Sequence, residues 1–282
     1  MYIFALSNHI FMKKKLLLLI LVCMFSRLAF TQSKLGDVAC VYVTTANIDS
    51  SFAVYEKLGF EKTLYSDFPF RWALLSDGSL LIMMRQDPKP YIGLTYYSAN
   101  VDDVAGKLEK EGIEFVQKPK AGDVMKRYYI KTPDGFNIVL TNNAGGFKPP
   151  TGITLLTMKP TDFNSADKYP NKLVGAFGEF AQPVTDIQAS VNFWKKLGFK
   201  VSAEMKVPYP HAILTDGLMI VGLHQTNHFT YPAVTYFGMN TAKHIQELKG
   251  KGLLNFVEIA GNNNVSLQTW EGQHFFIFTI GM

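Results

Sequence analysis

The chain has 282 residues, 48% of them hydrophobic and 18% charged, which excludes a mainly disordered protein and leaves room for two domains. The formal charge of +5 is uneven: residues 1–31 hold Lys13, Lys14, Lys15 and Arg27 and no acid, so the remainder carries 24 basic against 23 acidic residues. That near-neutral balance gives no footing for general nucleic-acid binding.

In chain order, Met12-Lys-Lys-Lys15 leads into ten apolar residues, Leu16 to Phe25. A basic start and a short apolar run form the pattern of a secretory signal peptide, and ten residues fall well short of the roughly 20 needed to span a bilayer. Ala29 and Thr31 are small residues suited to cleavage before Gln32. The expectation is removal of residues 1–31 and export to a periplasmic or extracellular space, with Met12 as a more conventional start. Cys40 is then the one remaining cysteine, so no internal disulfide is expected.

Two stretches match at an offset of 139–140 residues. Asn47 to Phe60 pairs with Asp186 to Phe199, Arg71 to Gly78 with Pro210 to Gly217, and Leu94 to Tyr97 with Val234 to Phe237. Matches in the same order indicate a tandem duplication of a unit of roughly 110 residues. Residues 36–142 form the first domain, 143–177 a linker rich in Gly and Pro at its start, and 178–282 the second domain. Each unit reads strand, helix, strands, then the same again. Ile48, Phe52 and Tyr55 mark one face of a helix capped by Asn47 and ended by Gly59; Val101, Ala105 and Leu108 mark the next. Ile187, Val191 and Trp194, then Ile245 and Leu248, repeat them. Asp77-Gly78, Asp134-Gly135, Asp216-Gly217 and Glu271-Gly272 predict hairpins. Within the linker, Ile153 to Met158 predicts an added strand.

A helix ending in an aromatic residue and Leu-Gly-Phe, followed later by Pro-Asp-Gly before a last strand, carries a resemblance. Val54-Tyr-Glu-Lys-Leu-Gly-Phe60, Phe193-Trp-Lys-Lys-Leu-Gly-Phe199 and Thr132-Pro-Asp-Gly135 are its motifs here. Over nearly all of residues 36–282 the chain resembles the glyoxalase/bleomycin-resistance/dioxygenase group, the vicinal oxygen chelate superfamily. The resemblance implies an α+β fold: a tandem duplication of a glyoxalase/bleomycin-resistance-like domain, each domain built from paired βαβββ modules. These would form a curved, cavity-enclosing mixed sheet with helices outside.

In metal-dependent members, ligands come from the first strand of each half-module and from the strand after Pro-Asp-Gly. Carried onto this chain, the first-strand positions are Cys40 and Glu179, and the last-strand glutamate positions are Val139 and Phe276. The second half-modules' histidine positions fall at about Gly93 and Ala233, and the mid-unit positions near Ile82 and Val221. Val139 and Phe276 have no donor atom, so the family's metal site and its glyoxalase, dioxygenase and metal-dependent resistance chemistry are in doubt. No resident cofactor is expected; a divalent metal, if held, would use Glu179, His211 and His274.

Strand alternation predicts Cys40, Tyr42, Thr44, Leu80, Ile82, Met84, Thr95, Tyr97, Asn137, Val139 and Thr141 on the cavity face of the first unit. In the second unit, Glu179, Ala181, Thr235, Phe237, His274, Phe276 and Phe278 share that face. The candidate ligand contacts are Cys40, Tyr42, Met84, Thr95, Tyr97, Thr235, Phe237 and Phe276; these side chains equally suit core packing. Glu179 and His274 could meet as an acid/base pair or as a plain buried salt bridge. His224 is predicted to face away from the cavity. Arg71, Arg85, Lys126, Arg127 and Lys131 form a modest basic group, able to steer an anionic ligand or only to keep strand edges soluble.

The leading expectation is an exported protein with a degenerate metal site that binds a small organic molecule in its cavity. The alternatives are a divergent lyase, isomerase or dioxygenase using Glu179 and His274, and a non-catalytic scaffold. The expected partner is a small-molecule ligand, without nucleic acid or stable membrane association after signal cleavage. The expected state is a monomer with paired internal domains or a homodimer.

Overall fold

The computed structural model describes residues 33–150, 152–253, 255–259 and 264–280; the predicted signal segment, residues 1–31, lies outside the described residues. The first domain comprises β1 (Val38–Thr45), α1 (Ile48–Lys57), β2 (Glu61–Ser66), β3 (Trp72–Ser76), β4 (Leu81–Gln86), β5 (Ile92–Ser98), α2 (Val101–Lys110), β6 (Arg127–Lys131) and β7 (Asn137–Asn142). Its seven strands form one mixed sheet in the order β2-β3-β4-β1-β5-β7-β6. The second domain comprises β8 (Ala176–Pro183), α3 (Ile187–Lys196), β9 (Lys200–Met205), β10 (His211–Thr215), β11 (Ile220–His224), β12 (Ala233–Gly238), α4 (Thr241–Gly250), β13 (Phe256–Ile259), β14 (Asn264–Gln268) and β15 (His274–Thr279). Its eight strands run β13-β14-β15-β12-β8-β11-β10-β9.

Both sheets follow one plan. The opening strands of the two modules, β1 with β5 and β8 with β12, pair antiparallel at the centre, and each also pairs parallel with the last strand of its own module. This is the paired βαβββ arrangement that the resemblance implied. In the first domain one outer strand shrinks to a single bridge, Gln117 to Tyr129.

Local chemistry explains the elements. Asn47 Oδ1 accepts from the amides of Asp49 and Ser50, each at 3.1 Å, and Asp186 Oδ1 does the same for Gln188 and Ala189 at 2.9 and 3.0 Å. Each cap satisfies amides that the first helical turn leaves free, worth about 1 kcal/mol. In the β3–β4 hairpin Gly78 takes φ +91°, a left-handed conformation that glycine adopts without strain. Asp77 Oδ1 closes that turn by accepting from the amides of Ser79 and Leu80 at 2.9 Å.

The linker does not add the predicted strand. Residues 154–157 are turn, tied to the second domain through the Leu155 amide on the Phe177 carbonyl at 2.9 Å, and two short 3₁₀ turns follow at Pro160–Asn164 and Ala166–Lys168.

The helix faces of both sheets share a single core that includes Tyr55, Phe60, Leu108, Trp194, Tyr236, Leu248 and Phe275. Tyr55 and Phe60 of the first domain meet Phe275 of the second edge to face, with ring centroids 5.7 and 6.2 Å apart. Polar contacts join the units as well. Tyr236 Oη donates to Asp77 Oδ2 at 2.5 Å, and Tyr55 Oη donates to Glu271 Oε1. Asp216, the repeat equivalent of Asp77, lies against Tyr96, the equivalent of Tyr236, and accepts from Ser33 Oγ at 2.6 Å. Both turn aspartates thus close a hairpin in their own domain, and Asp77 also accepts a hydrogen bond from a tyrosine of the other domain. The opposite face of each sheet remains for a site.

Candidate functional site

On the face away from the helices, the first sheet encloses a cavity of about 520 Å³. Strand pairing sets its walls. Trp72 on β3 sits opposite Arg85 on β4, which lies beside Thr44 on β1. A second row runs from Cys40 through Thr95 and Val139 to Tyr129, and a third joins Tyr97, Thr141 and Arg127. Loop residues complete the lining with Phe70, Tyr91 and Phe147. Phe147 packs edge to face on Tyr97 at 4.9 Å and on Trp72 at 5.7 Å. Tyr91 lies edge-on to Tyr42 at 5.8 Å, and its ring occupies the space that a side chain at position 93 would need: a Cβ on Gly93 would fall 2.5 Å from the Tyr91 hydroxyl.

The charges here are sorted. Arg71 pairs with Asp49 at 2.9 Å and Asp67 at 2.8 Å, and Lys126 pairs with Asp102, all outside the cavity. Arg85 and Arg127 line it. Arg85 sits over the Phe70 ring at 4.4 Å and reaches Asp87 at 3.3 Å, while its Nε is buried without a hydrogen-bond partner among the described residues. Arg127 makes no salt bridge among the described residues. Burial raises the Tyr42 phenol above its ordinary range, against which Arg85 first and then Arg127 pull it down. Burial likewise holds Tyr91 and Tyr97 protonated, so both stay donors. The Tyr91 hydroxyl and Thr141 Oγ1 are buried and without partners among the described residues.

Of the candidate contacts, Tyr42, Thr95 and Tyr97 line this cavity. Cys40 shares the face but is fully buried in a cluster with Met83 and Tyr97, where burial pushes its thiol up to about 12. Met84 does not line it. With Ile82 and Leu80 it belongs to the core on the helix side, and Met83 takes the cavity position. The parallel pairing of Val41 with Ile82 sets that register, because Val41 is itself a core residue. The same one-residue slip places Val221 in the core and Gly222 on the open side.

In the second domain that slip brings His224 to the face it was expected to avoid. His224 Nε2 meets Glu179 Oε1 at 2.9 Å, both side chains being nearly buried. Gly222 makes this possible: a Cβ there would fall 1.9 Å from Glu179 Oε2. His211 stacks on His224 with parallel rings 5.5 Å apart and contacts the Tyr209 carbonyl through Nδ1 at 3.1 Å. Desolvation lowers its pKa below the ordinary histidine value. The expected meeting of Glu179 with His274 does not occur; His274 stacks on Tyr231 at 3.4 Å, and its pKa is lowered by burial. Phe276 packs with Phe229, Ala181 and Ala233, with Tyr231 and Phe278 against them. Phe237 covers Gly178, and Thr235 is fully buried.

The donor set does not fit the metal site of the fold family. Of the carried-over ligand positions only Cys40 in the first sheet and Glu179 in the second have a donor side chain; Gly93, Val139, Ala233 and Phe276 have none. Among the described residues no group of three or more His, Cys, Asp or Glu side chains is arranged to hold a metal ion.

No family model and no curated protein matches the sequence. Solved structures do match. An extradiol ring-cleaving dioxygenase from B. fuscum superimposes with a TM-score of 0.56 at 14% identity, covering 89% of this chain and 77% of that one. Homoprotocatechuate 2,3-dioxygenase from Arthrobacter globiformis superimposes with a TM-score of 0.56 at 18% identity, covering 89% of this chain and 82% of that one. At these identities the likeness shows the fold alone: this chain shares the fold of these two dioxygenase structures.

Proposed function

We propose that the protein binds a small organic molecule in the cavity of its first domain, without the metal chemistry associated with its fold. The supporting observation is the cavity itself: about 520 Å³, walled by Tyr42, Trp72, Tyr91, Tyr97 and Phe147, with polar atoms turned inward. Pockets of a few hundred Å³ with an apolar lining and a few placed polar groups are the usual form of small-molecule sites. The basic, apolar start of the chain supports a protein that acts outside the cytoplasm.

The test is a thermal-shift screen of aromatic fragments against the full chain and against Val139→Phe, which copies the residue at the equivalent place in the second domain. The reading expects hits that raise the melting temperature of the parent and lose their effect in the variant. A screen without hits, or hits that survive the filled cavity, would reject it.

A second reading draws on Glu179, whose Oε2 is buried and unpartnered beside an imidazole. An enzyme built there would use His224, rather than His274, as partner of the carboxylate. It predicts that a bound hit is consumed by the parent and left intact by Glu179→Gln.

A further inference from the structure

We infer that the first-domain cavity selects a planar aromatic anion, an aromatic carboxylate, through a clamp formed by Arg85 and Arg127. The inference rests on the proposed binding role of that cavity and adds the chemical class of its ligand.

The first ground is charge. The charged residue types lining the cavity are Arg85, Lys89, Arg127 and Asp87, three basic to one acidic. Asp87 offsets Arg85 at 3.3 Å, and Arg127 has no carboxylate partner among the described residues. A half-buried guanidinium facing an aromatic-walled space is incompletely solvated, and an anion with two coplanar oxygens matches its paired N–H donors.

The second ground is the set of donors left open. Arg85 Nε and the Tyr91 hydroxyl are buried with no partner among the described residues, as is Thr141 Oγ1. Burial raises the Tyr91 pKa and so keeps its hydroxyl a donor. Buried donors without partners are costly, and an oxyanion is the group that accepts from several at once. Phe70 stacks on Arg85 and, with Asp87, holds it in place, so little ordering is left to binding.

The third ground is shape. Tyr42, Arg85 and Arg127 line the same cavity, so both cations border the space beside the Tyr42 phenol, and the attraction of each lowers that phenol's pKa. Trp72, Phe147 and Tyr97 form an edge-to-face aromatic wall in the same cavity. A flat ring against that wall, its carboxylate at the Tyr42 end, meets both sets of groups.

Isothermal titration of the full chain with 2-naphthoate and with the neutral isostere 2-naphthamide tests this. The expected result is binding of the carboxylate at least about tenfold tighter than the amide, the scale of a charge-assisted hydrogen bond. Arg127→Gln should bring the two within about threefold, and Arg127→Lys should restore part of the preference. Arg85→Gln should weaken the carboxylate more than the amide. Equal binding of the two probes, or a preference that survives both glutamine variants, overturns the anion clamp and leaves the cavity as a neutral binding site. If neither probe binds, the reading of the cavity as a binding site falls, and this inference with it.

Discussion

The two domains share one plan and differ on one face. Through the repeat, Cys40, Tyr42, Met83, Arg85, Val139 and Thr141 stand where the second domain has Glu179, Ala181, Gly222, His224, Phe276 and Phe278. In the first domain Thr95, Val139 and Thr141 leave the cavity open, while Met83 and Tyr97 bury Cys40. In the second, Phe276 and Phe278 take that space with Phe229 and Tyr231, and the missing side chain at Gly222 admits a carboxylate–imidazole pair. The helix faces are alike because they build the shared core and cannot change volume cheaply. The other face carries no such constraint. It became a cavity in one copy and a packed aromatic and ionic cluster in the other.

The largest effect separating the copies should come from His224→Ala. It leaves Glu179 buried without its imidazole, a loss of about 3 kcal/mol for a broken buried pair. Urea unfolding measures it. The control at the equivalent place, Arg85→Ala, should cost less than about 1 kcal/mol, since Arg85 and Asp87 are both partly exposed and water screens their pair. Equal losses would mean that the Glu179–His224 pair is not the feature that distinguishes the second domain.

Next in size is Gly222→Ala. The added methyl group lands on Glu179 Oε2 and should destabilise by about 2 kcal/mol, in the range of overpacked cores. Combining it with Glu179→Cys, the residue of the first copy, should recover at least half of that loss. Additive losses in a double-mutant cycle would break the claim that positions 179 and 222 exchanged volume.

Much of this architecture was legible in the sequence. Helix faces follow the 3.6-residue period, the Asn47 cap acts as read, and all four turn dipeptides connect antiparallel strands. The repeat made the second domain readable from the first. The register of β4 and β11 was not legible. Strand alternation put Leu80, Ile82 and Met84 on the open face, but the parallel partner strand decides, and it places them in the core. That single residue moved Met84 out of the site, brought Arg85 into it, and turned His224 toward Glu179. The cavity itself depends on Tyr91 and Phe147, loop residues whose positions no strand period predicts. The Ile153–Met158 segment misled because its apolar residues pack individually, Leu156 into the shared core and Met158 beside Tyr169, without forming a ladder.

The smallest expected effect is a difference in pH response. His211 and His274 both lie in the second domain, and burial lowers the pKa of each. The folded state therefore favours the neutral ring. Below the ordinary histidine value near 6.5 the unfolded chain takes up protons that the folded one does not, so stability is greatest above that value and declines as pH falls through it. Melting temperature should accordingly drop between pH 7.5 and 5.5, and His211→Phe with His274→Phe should flatten the drop. Residues 33–150 contain no histidine, and the cavity charges proposed to hold an anion are arginines. Affinity for 2-naphthoate should then stay level over pH 7.5 to 6.5, where the carboxylate remains ionised, while stability begins to change. Affinity that tracked stability would mean that the two faces are coupled through the common core; level affinity over a falling melting temperature would show the open copy and the filled copy responding separately.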